Sequence, residues 1–107
     1  MLLNFEFQKS AEPQSKPTIV LIHGLFGSLS NLGMIARVLQ LEYSVLQLDV
    51  RNHGKSAHDK EMNYTVMAQD VIETLDHLNI EQFSVIGHSM GGKIAMKLTE
   101  LAPKRLQ

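Results

Sequence analysis

The 107-residue sequence contains no cysteine. This absence excludes disulfide bonds, thiolate nucleophiles and cysteine metal clusters, and it suits the reducing cytoplasm, where we expect the protein to reside. The five histidines do not follow the spacing of a metal site. We therefore predict no metal site from these residue types.

An excess of charge of one sign is also missing, because 10 Lys and Arg residues stand against 11 Asp and Glu residues. No global field draws such a chain to nucleic acid or to an anionic membrane. No run approaches the ~18 apolar residues that span a bilayer, and residues 1–6 lack the regions of a signal peptide. These features predict a small globular domain whose partner is a small molecule bound at a specific site.

The apolar residues that are present form short runs separated by amphipathic segments. Strands are predicted from the β-branched and aliphatic runs, and helices from apolar residues at helical spacing. The predicted strands cover residues 18–22, 44–48 and 83–86, and the predicted helices cover 32–39, 68–78 and 89–101. This alternation predicts an α/β fold, a parallel sheet with helices on both faces. Alternating Leu3, Phe5 and Phe7 predict one further half-buried strand, and residues 10–17 a polar loop.

The third predicted strand runs directly into residues 87–91, G-H-S-M-G, and then into a helix. A turn this tight crowds the backbone on both sides of Ser89, which explains the glycines at Gly87 and Gly91. It also exposes the Ser89 hydroxyl above a helix N-terminus that favours a developing oxyanion. Ser89 is therefore the predicted nucleophile, with Gly87, His88 and Gly91 supporting it. The alternative is a plain glycine-rich turn in which Ser89 caps the helix.

Residues 23–27, H-G-L-F-G, follow the first predicted buried strand. We expect His23 and Gly24 to support a loop whose backbone N–H at Leu25 joins that of Met90 in an oxyanion hole. The alternative is an ordinary strand-to-helix turn in which His23 bonds to the backbone. The presence of the turn at Ser89 favours the oxyanion loop.

Residues 49–56, D-V-R-N-H-G-K-S, follow the second predicted strand. We predict a structural role, in which an Asp or Arg network ties down the edge of the site. The end of the segment is similar to a phosphate-binding P-loop. However, Asp49 stands where that loop needs glycine, and no apolar helix begins after Ser56. A dinucleotide site is also disfavoured, because the sequence contains no G-x-G-x-x-G.

A complete catalytic triad is not expected within this chain. After Ser89 the sequence has no histidine and no aspartate, and Glu100 is its only acidic residue. His88 should point away from Ser89 on the turn, and His53 and His58 lie on a different loop. We therefore expect none of these histidines to act as the base.

These motifs together resemble the α/β-hydrolases, and within that family a small bacterial esterase or thioesterase, including the type that cleaves acyl-CoA. The resemblance runs from residue 19 to residue 105 and depends on residues 23–28, 49–56, 62–64 and 87–92. It implies Ser89 as the nucleophile, Leu25 and Met90 as oxyanion donors, and an acyl-enzyme that water resolves without metal or cofactor.

The resemblance also implies that much of the catalytic machinery is missing, because members of the family are more than twice this long. We expect residues 1–107 to be the N-terminal part of one hydrolase domain, inactive alone. The missing C-terminal part or another chain would complete it and cover the exposed edge of the strand at 83–86. The alternatives are a non-catalytic fragment or interaction module on the same scaffold, and another chemistry of the fold such as carbon–carbon hydrolysis or a lyase step.

Overall fold

The structure is a computed structural model that describes residues 1–10 and 16–107. It contains strands β1 (Phe5–Gln8), β2 (Thr18–Ile22), β3 (Val45–Leu48) and β4 (Phe83–Gly87), and helices α1 (Gly33–Leu39), α2 (Tyr64–His77) and α3 (Met90–Leu101). A short 3₁₀ turn, Leu29–Leu32, leads into α1. The predicted order of elements is confirmed. Most of the loop predicted for residues 10–17 lies outside the described residues.

The four strands form one sheet in the order β1-β3-β2-β4. β2 pairs in parallel with both β3 and β4, whereas β1 is antiparallel to β3. Ile22 at the end of β2 lies opposite Leu48 on one side and Gly87 on the other. The three parallel strands therefore end at the same level, and the loops that follow them meet at one edge of the sheet.

The helices cover both faces of the sheet, as the sequence predicts. Val20 and Ile22 of β2 belong to the larger core, which α2 and α3 complete. The alternate residues, Ile19 and Leu21, belong to a smaller core with Ala36 of α1. Burial of each such aliphatic side chain stabilises the fold by about 1.5–3 kcal/mol. Within the described residues, no helix is both long and apolar enough to cross a bilayer.

β4 lies at the edge of the sheet. Phe83 is fully buried, but Ile86 is 41% exposed. Ile86 is exposed because among the described elements only β2 flanks that end of β4, which agrees with the exposed strand edge expected for residues 83–86. At the other end Leu106 forms an isolated parallel bridge with Phe83, and Gln107 donates its N–H to the Phe83 carbonyl at 2.9 Å.

Candidate functional site

The turn between β4 and α3 holds Ser89 in an uncommon backbone conformation. Its φ of 55° and ψ of −113° are unfavourable for a residue with a Cβ atom, and such strain costs on the order of 1–3 kcal/mol. The N–H of His88 donates to the Ile22 carbonyl at 3.0 Å and ties the turn to β2. Ser89 is exposed at the N-cap position of α3, but its side chain forms no capping hydrogen bond. The side chain of Ser89 therefore does not cap α3.

Direct backbone contacts surround this turn. A Cβ atom added at Gly87 would lie 2.2 Å from the carbonyl oxygen of Gly91. A Cβ atom added at Gly91 would lie 2.1 Å from the carbonyl oxygen of Ile22. Both distances are far below van der Waals contact, so β2, β4 and the start of α3 approach one another only because these two residues are glycine.

The loop after β2 approaches the same turn. Gly27 donates its N–H to the Gly24 carbonyl at 3.0 Å, which closes the loop tightly. Among the described residues, no acceptor pairs with the backbone N–H of Leu25 or with that of Met90. Leu25 and Met90 line one cavity together with Ser89. The structure therefore brings the predicted nucleophile next to both residues predicted to donate to an oxyanion.

His23 is buried beneath this loop and bonds to the backbone on both sides of its ring. Its Nδ1 donates to the Gly24 carbonyl at 2.7 Å, and its Nε2 accepts from the Val50 N–H at 3.1 Å. These partners select the neutral ring with the proton on Nδ1. Burial is the main reason that the pKa of His23 is lowered. His23 thus joins the loop to the end of β3 and has no free nitrogen to act as a base.

Asp49 ties the loop to the segment after β3. Its carboxylate accepts hydrogen bonds from the N–H of Leu29 at 2.8 Å, the N–H of Lys55 at 2.9 Å and the side chain of Asn4 at 2.8 Å. Burial alone would raise the pKa of Asp49, but the three donors outweigh it and the pKa is lowered. The structural role predicted for residues 49–56 is confirmed.

His53 makes a contact that the sequence analysis missed. Its Nε2 accepts from the Phe26 N–H at 3.0 Å, and its Nδ1 donates to the Arg51 carbonyl at 3.0 Å. Its ring centroid lies 5.2 Å from that of His23. No motif or spacing indicates the contact, because it joins positions 26 and 53 through the fold alone.

An apolar cavity of about 640 Å³ opens beside Ser89. Met67 and Met90 form its buried wall, and Met62 and Tyr64 form its more exposed rim. Lys93 also lines this cavity, with its Nζ 5.8 Å from the centroid of the Tyr64 ring. Among the described residues no acidic side chain lines the cavity, and the charged group that does line it, Lys93, is a cation. Apolar walls beside an exposed hydroxyl suit the hydrocarbon part of a substrate.

The other candidate acids and bases do not meet Ser89. Glu100 pairs with Lys97 at 2.8 Å near the far end of α3. Within residues 1–10 and 16–107, no hydrogen bond reaches the Ser89 hydroxyl, and no group of three or more His, Cys, Asp or Glu residues could hold a metal ion. His88 is exposed and lines a second cavity that Gly24 and Ser89 also line, but it forms no hydrogen bond with the Ser89 hydroxyl.

Comparison with known proteins identifies related sequences and structures. The family model described as the alpha/beta hydrolase fold matches residues 17–107. Esterase YbfF of Escherichia coli K12 is 50% identical over 106 residues, which are 99% of this chain and 42% of that protein. An sn-1-specific diacylglycerol lipase of Xenopus laevis is 50% identical over 93 residues, which are 85% of this chain and 30% of that protein.

A solved structure, that of a marine microorganism esterase, superimposes on this chain with a TM-score of 0.90 at 39% sequence identity. The superposition covers 99% of this chain and 39% of the esterase chain. The chain therefore spans less than half the length of each of these three proteins.

Proposed function

The chain belongs to the α/β-hydrolase family, and on that premise we propose that it carries the nucleophile of a serine hydrolase that cleaves carboxylic esters. The observation that carries this proposal is the exposed, strained Ser89 next to the N–H groups of Leu25 and Met90, which have no acceptor among the described residues. Relatives that cover almost the whole chain are named as esterases, which supports the same reaction class.

In the proposed reaction, Ser89 Oγ attacks the carbonyl carbon of the ester while its proton passes to a histidine outside this chain. The carbonyl oxygen becomes an oxyanion that the N–H groups of Leu25 and Met90 stabilise. The intermediate expels the alcohol, which takes the proton from the histidine, and leaves an acyl group on Ser89. Water then attacks the acyl-enzyme, and the acid is released as Ser89 recovers its proton. His23, Gly24, Gly87, His88 and Gly91 support this arrangement without taking part in the chemistry.

We further propose that residues 1–107 are the N-terminal part of one hydrolase domain, which later sequence or another chain completes. The isolated parallel bridge between Leu106 and Phe83 supports this, because it is the kind of pair that the start of a further strand beside β4 would make. Reading the gene past Gln107 tests the proposal. We expect about 150 further residues with a late aspartate and a histidine, as one domain of this class would carry. A stop codon directly after Gln107, in a monomeric protein, would contradict it.

Thioesters, including acyl-CoA, are the finer substrate proposal. The apolar cavity beside Ser89 suits an acyl chain, and Lys93 supplies a positive charge that a phosphate of the leaving group could meet. The measurement is kcat/KM of the full-length protein for acyl-CoA and for p-nitrophenyl esters of the same acyl chain. We expect acyl-CoA to be cleaved about tenfold more efficiently, as one charge-assisted contact of roughly 1.4 kcal/mol provides. Equal or lower efficiency for acyl-CoA would restrict the proposal to simple esters.

Replacement of Ser89 tests the reaction class. In the full-length protein, Ser89→Ala should lower kcat for a p-nitrophenyl ester by about 10⁴-fold or more, because the nucleophile is lost. A fluorophosphonate probe should label the unchanged protein at Ser89. Ser30→Ala is the matched control, since Ser30 is an exposed serine of the 3₁₀ turn, and it should leave labelling unchanged. Full-length protein that is not labelled at Ser89 would refute the proposed function.

A further inference from the structure

The peptide between Gly24 and Leu25 is held by the buried His23. The Gly24 carbonyl accepts from His23 Nδ1 at 2.7 Å and from the Gly27 N–H at 3.0 Å. In a trans peptide the C=O and N–H bonds point in opposite directions. Because the carbonyl faces His23, the N–H of Leu25 must point away from it. One contact therefore fixes the direction of the candidate oxyanion donor.

The next peptide, between Leu25 and Phe26, is held by a second buried histidine. The Phe26 N–H donates to His53 Nε2 at 3.0 Å. The two peptide planes that flank the Leu25 Cα atom are therefore each bonded to a histidine ring. With both planes held, the backbone at Leu25 has little freedom to rotate its N–H away from the site.

The backbone conformation of Phe26 is strained and is held by its hydrogen bond to His53. Its φ of 62° lies in the left-handed region, which costs on the order of 1–2 kcal/mol for a residue other than glycine. Its side chain is 91% exposed, so packing does not offset that cost. The hydrogen bond to His53 is the interaction among the described residues that holds the Phe26 N–H in place.

His53 is itself firmly anchored. It is only 8% exposed, and its Nδ1 donates to the Arg51 carbonyl at 3.0 Å. The Arg51 guanidinium bonds both carboxylate oxygens of Asp70 on α2, at 2.7 and 2.9 Å. The hydrogen bond to Asp70 also raises the pKa of Arg51. With its Nδ1 hydrogen occupied, the ring presents the lone pair of Nε2 to the loop.

From this geometry we propose that His53 is a positioning residue for the oxyanion hole, acting on the Leu25 N–H through its hydrogen bond to Phe26. The inference rests on the proposed esterase function. His53 contacts neither Ser89 nor the apolar cavity beside it. Loss of His53 should therefore weaken stabilisation of the transition state and leave substrate binding nearly intact.

The first test compares two replacements of His53 in the full-length protein. His53→Leu removes the acceptor, and kcat should fall by about 10²-fold, as when one oxyanion donor is lost, while KM changes by less than about threefold. A trifluoromethyl ketone, which forms an oxyanion on the nucleophilic serine, should bind more weakly by the same factor as kcat falls. His53→Gln keeps an acceptor oxygen near the position of Nε2 and should restore most of the lost kcat.

The matched control is His58→Leu, which removes an exposed histidine from the same loop and should leave kcat unchanged.

Measurements on the unchanged protein test the same proposal if the His53→Leu variant does not fold. Nitrogen-15 spectra should show His53 Nε2 as the acceptor of the Phe26 N–H. Hydrogen exchange at the Phe26 amide should be slower than at the Leu25 amide, which has no acceptor among the described residues.

Failure of this inference can be told apart from failure of the proposed function. If the unchanged protein labels at Ser89 but folded His53→Leu keeps its kcat, the positioning role is overturned. Equal exchange at the Phe26 and Leu25 amides would overturn it as well. If the protein does not label at Ser89, the esterase proposal fails, whatever the spectra show for His53.

Discussion

The turn at Ser89 and the loop at Leu25 meet at the same cavity, but different forces hold them. Steric contact holds the turn, because Gly87 and Gly91 bring backbone atoms of β2, β4 and α3 into direct proximity. The loop is held by hydrogen bonds with two buried rings, because His23 donates to the Gly24 carbonyl and His53 accepts the Phe26 N–H. The turn therefore depends on two glycines that have no side chain. The loop depends on hydrogen bonds with the histidine side chains.

This difference predicts different responses to change. A close backbone contact leaves no room for relaxation, so the turn should tolerate no added atom at its two critical glycines. A ring nitrogen that accepts a hydrogen bond can no longer do so once it is protonated. The bond that His23 Nε2 accepts from the Val50 N–H should therefore make the loop respond to pH. The contacts at Gly87 and Gly91 contain no ionisable group, so the turn at Ser89 should not respond to pH.

The largest expected effect is that of Gly91→Ala. The new Cβ would lie 2.1 Å from the Ile22 carbonyl oxygen, so the start of α3 must move away from β2. We expect a loss of about 3 kcal/mol in the free energy of unfolding, despite the better helix propensity of alanine. Urea unfolding measures this loss, and fluorophosphonate labelling of Ser89 should slow with it. A variant as stable as the unchanged protein would show that steric contact does not hold the turn.

The next effect is a fall in stability with acid that depends on His23. Its folded pKa is lowered by burial, so as pH falls the unfolded chain binds the proton first. The contribution of His23 is fully present above the ordinary histidine pKa of about 6.5 and is lost as pH falls toward the lowered folded value. Unfolding in urea at several pH values should show a slope of at most about 1.4 kcal/mol per pH unit from this group.

His23→Gln sharpens the pH experiment, because glutamine can accept the Val50 N–H and does not titrate. Its stability should change less than that of the unchanged protein as pH falls below about 6.5. Asp49 also has a lowered pKa, but its contribution is present above about 4 and is lost only below that value. If the free energy of unfolding has the same slope with pH in both proteins between pH 5 and 6.5, protonation of His23 does not weaken the loop.

The smallest expected effect is that of Gly92→Ala, the neighbour of Gly91 in α3. The nearest atom to its new Cβ would be the Gly87 carbonyl oxygen at 3.5 Å, an ordinary contact. Alanine should therefore stabilise α3 by about 0.5 kcal/mol through helix propensity, and Ser89 should label as before. A loss of stability similar to that of Gly91→Ala would mean that any substitution in this turn is harmful, and the specific role of Gly91 would be wrong.

Much of the fold was predictable because its signals are local. The run at Thr18–Ile22 predicts a buried strand, and the helical spacing of apolar residues predicts α2, since each pattern lies within one element. The degree of exposure of Ile86 has no signal within residues 83–86, because it depends on what flanks β4. The antiparallel pairing of β1 with β3 carries no signal in the residues of β1.

The candidate site also has one part that the sequence predicts and one part that only the tertiary structure determines. The spacing of Gly87, Ser89 and Gly91 is visible in five consecutive residues, because the steric demand of a tight turn acts on immediate neighbours. The contact of His53 with the Phe26 N–H forms only after β2 and β3 pair and bring their following loops to one edge of the sheet. Local backbone sterics are thus encoded in residue order, whereas hydrogen bonds between loops exist only once packing has determined which distant segments meet.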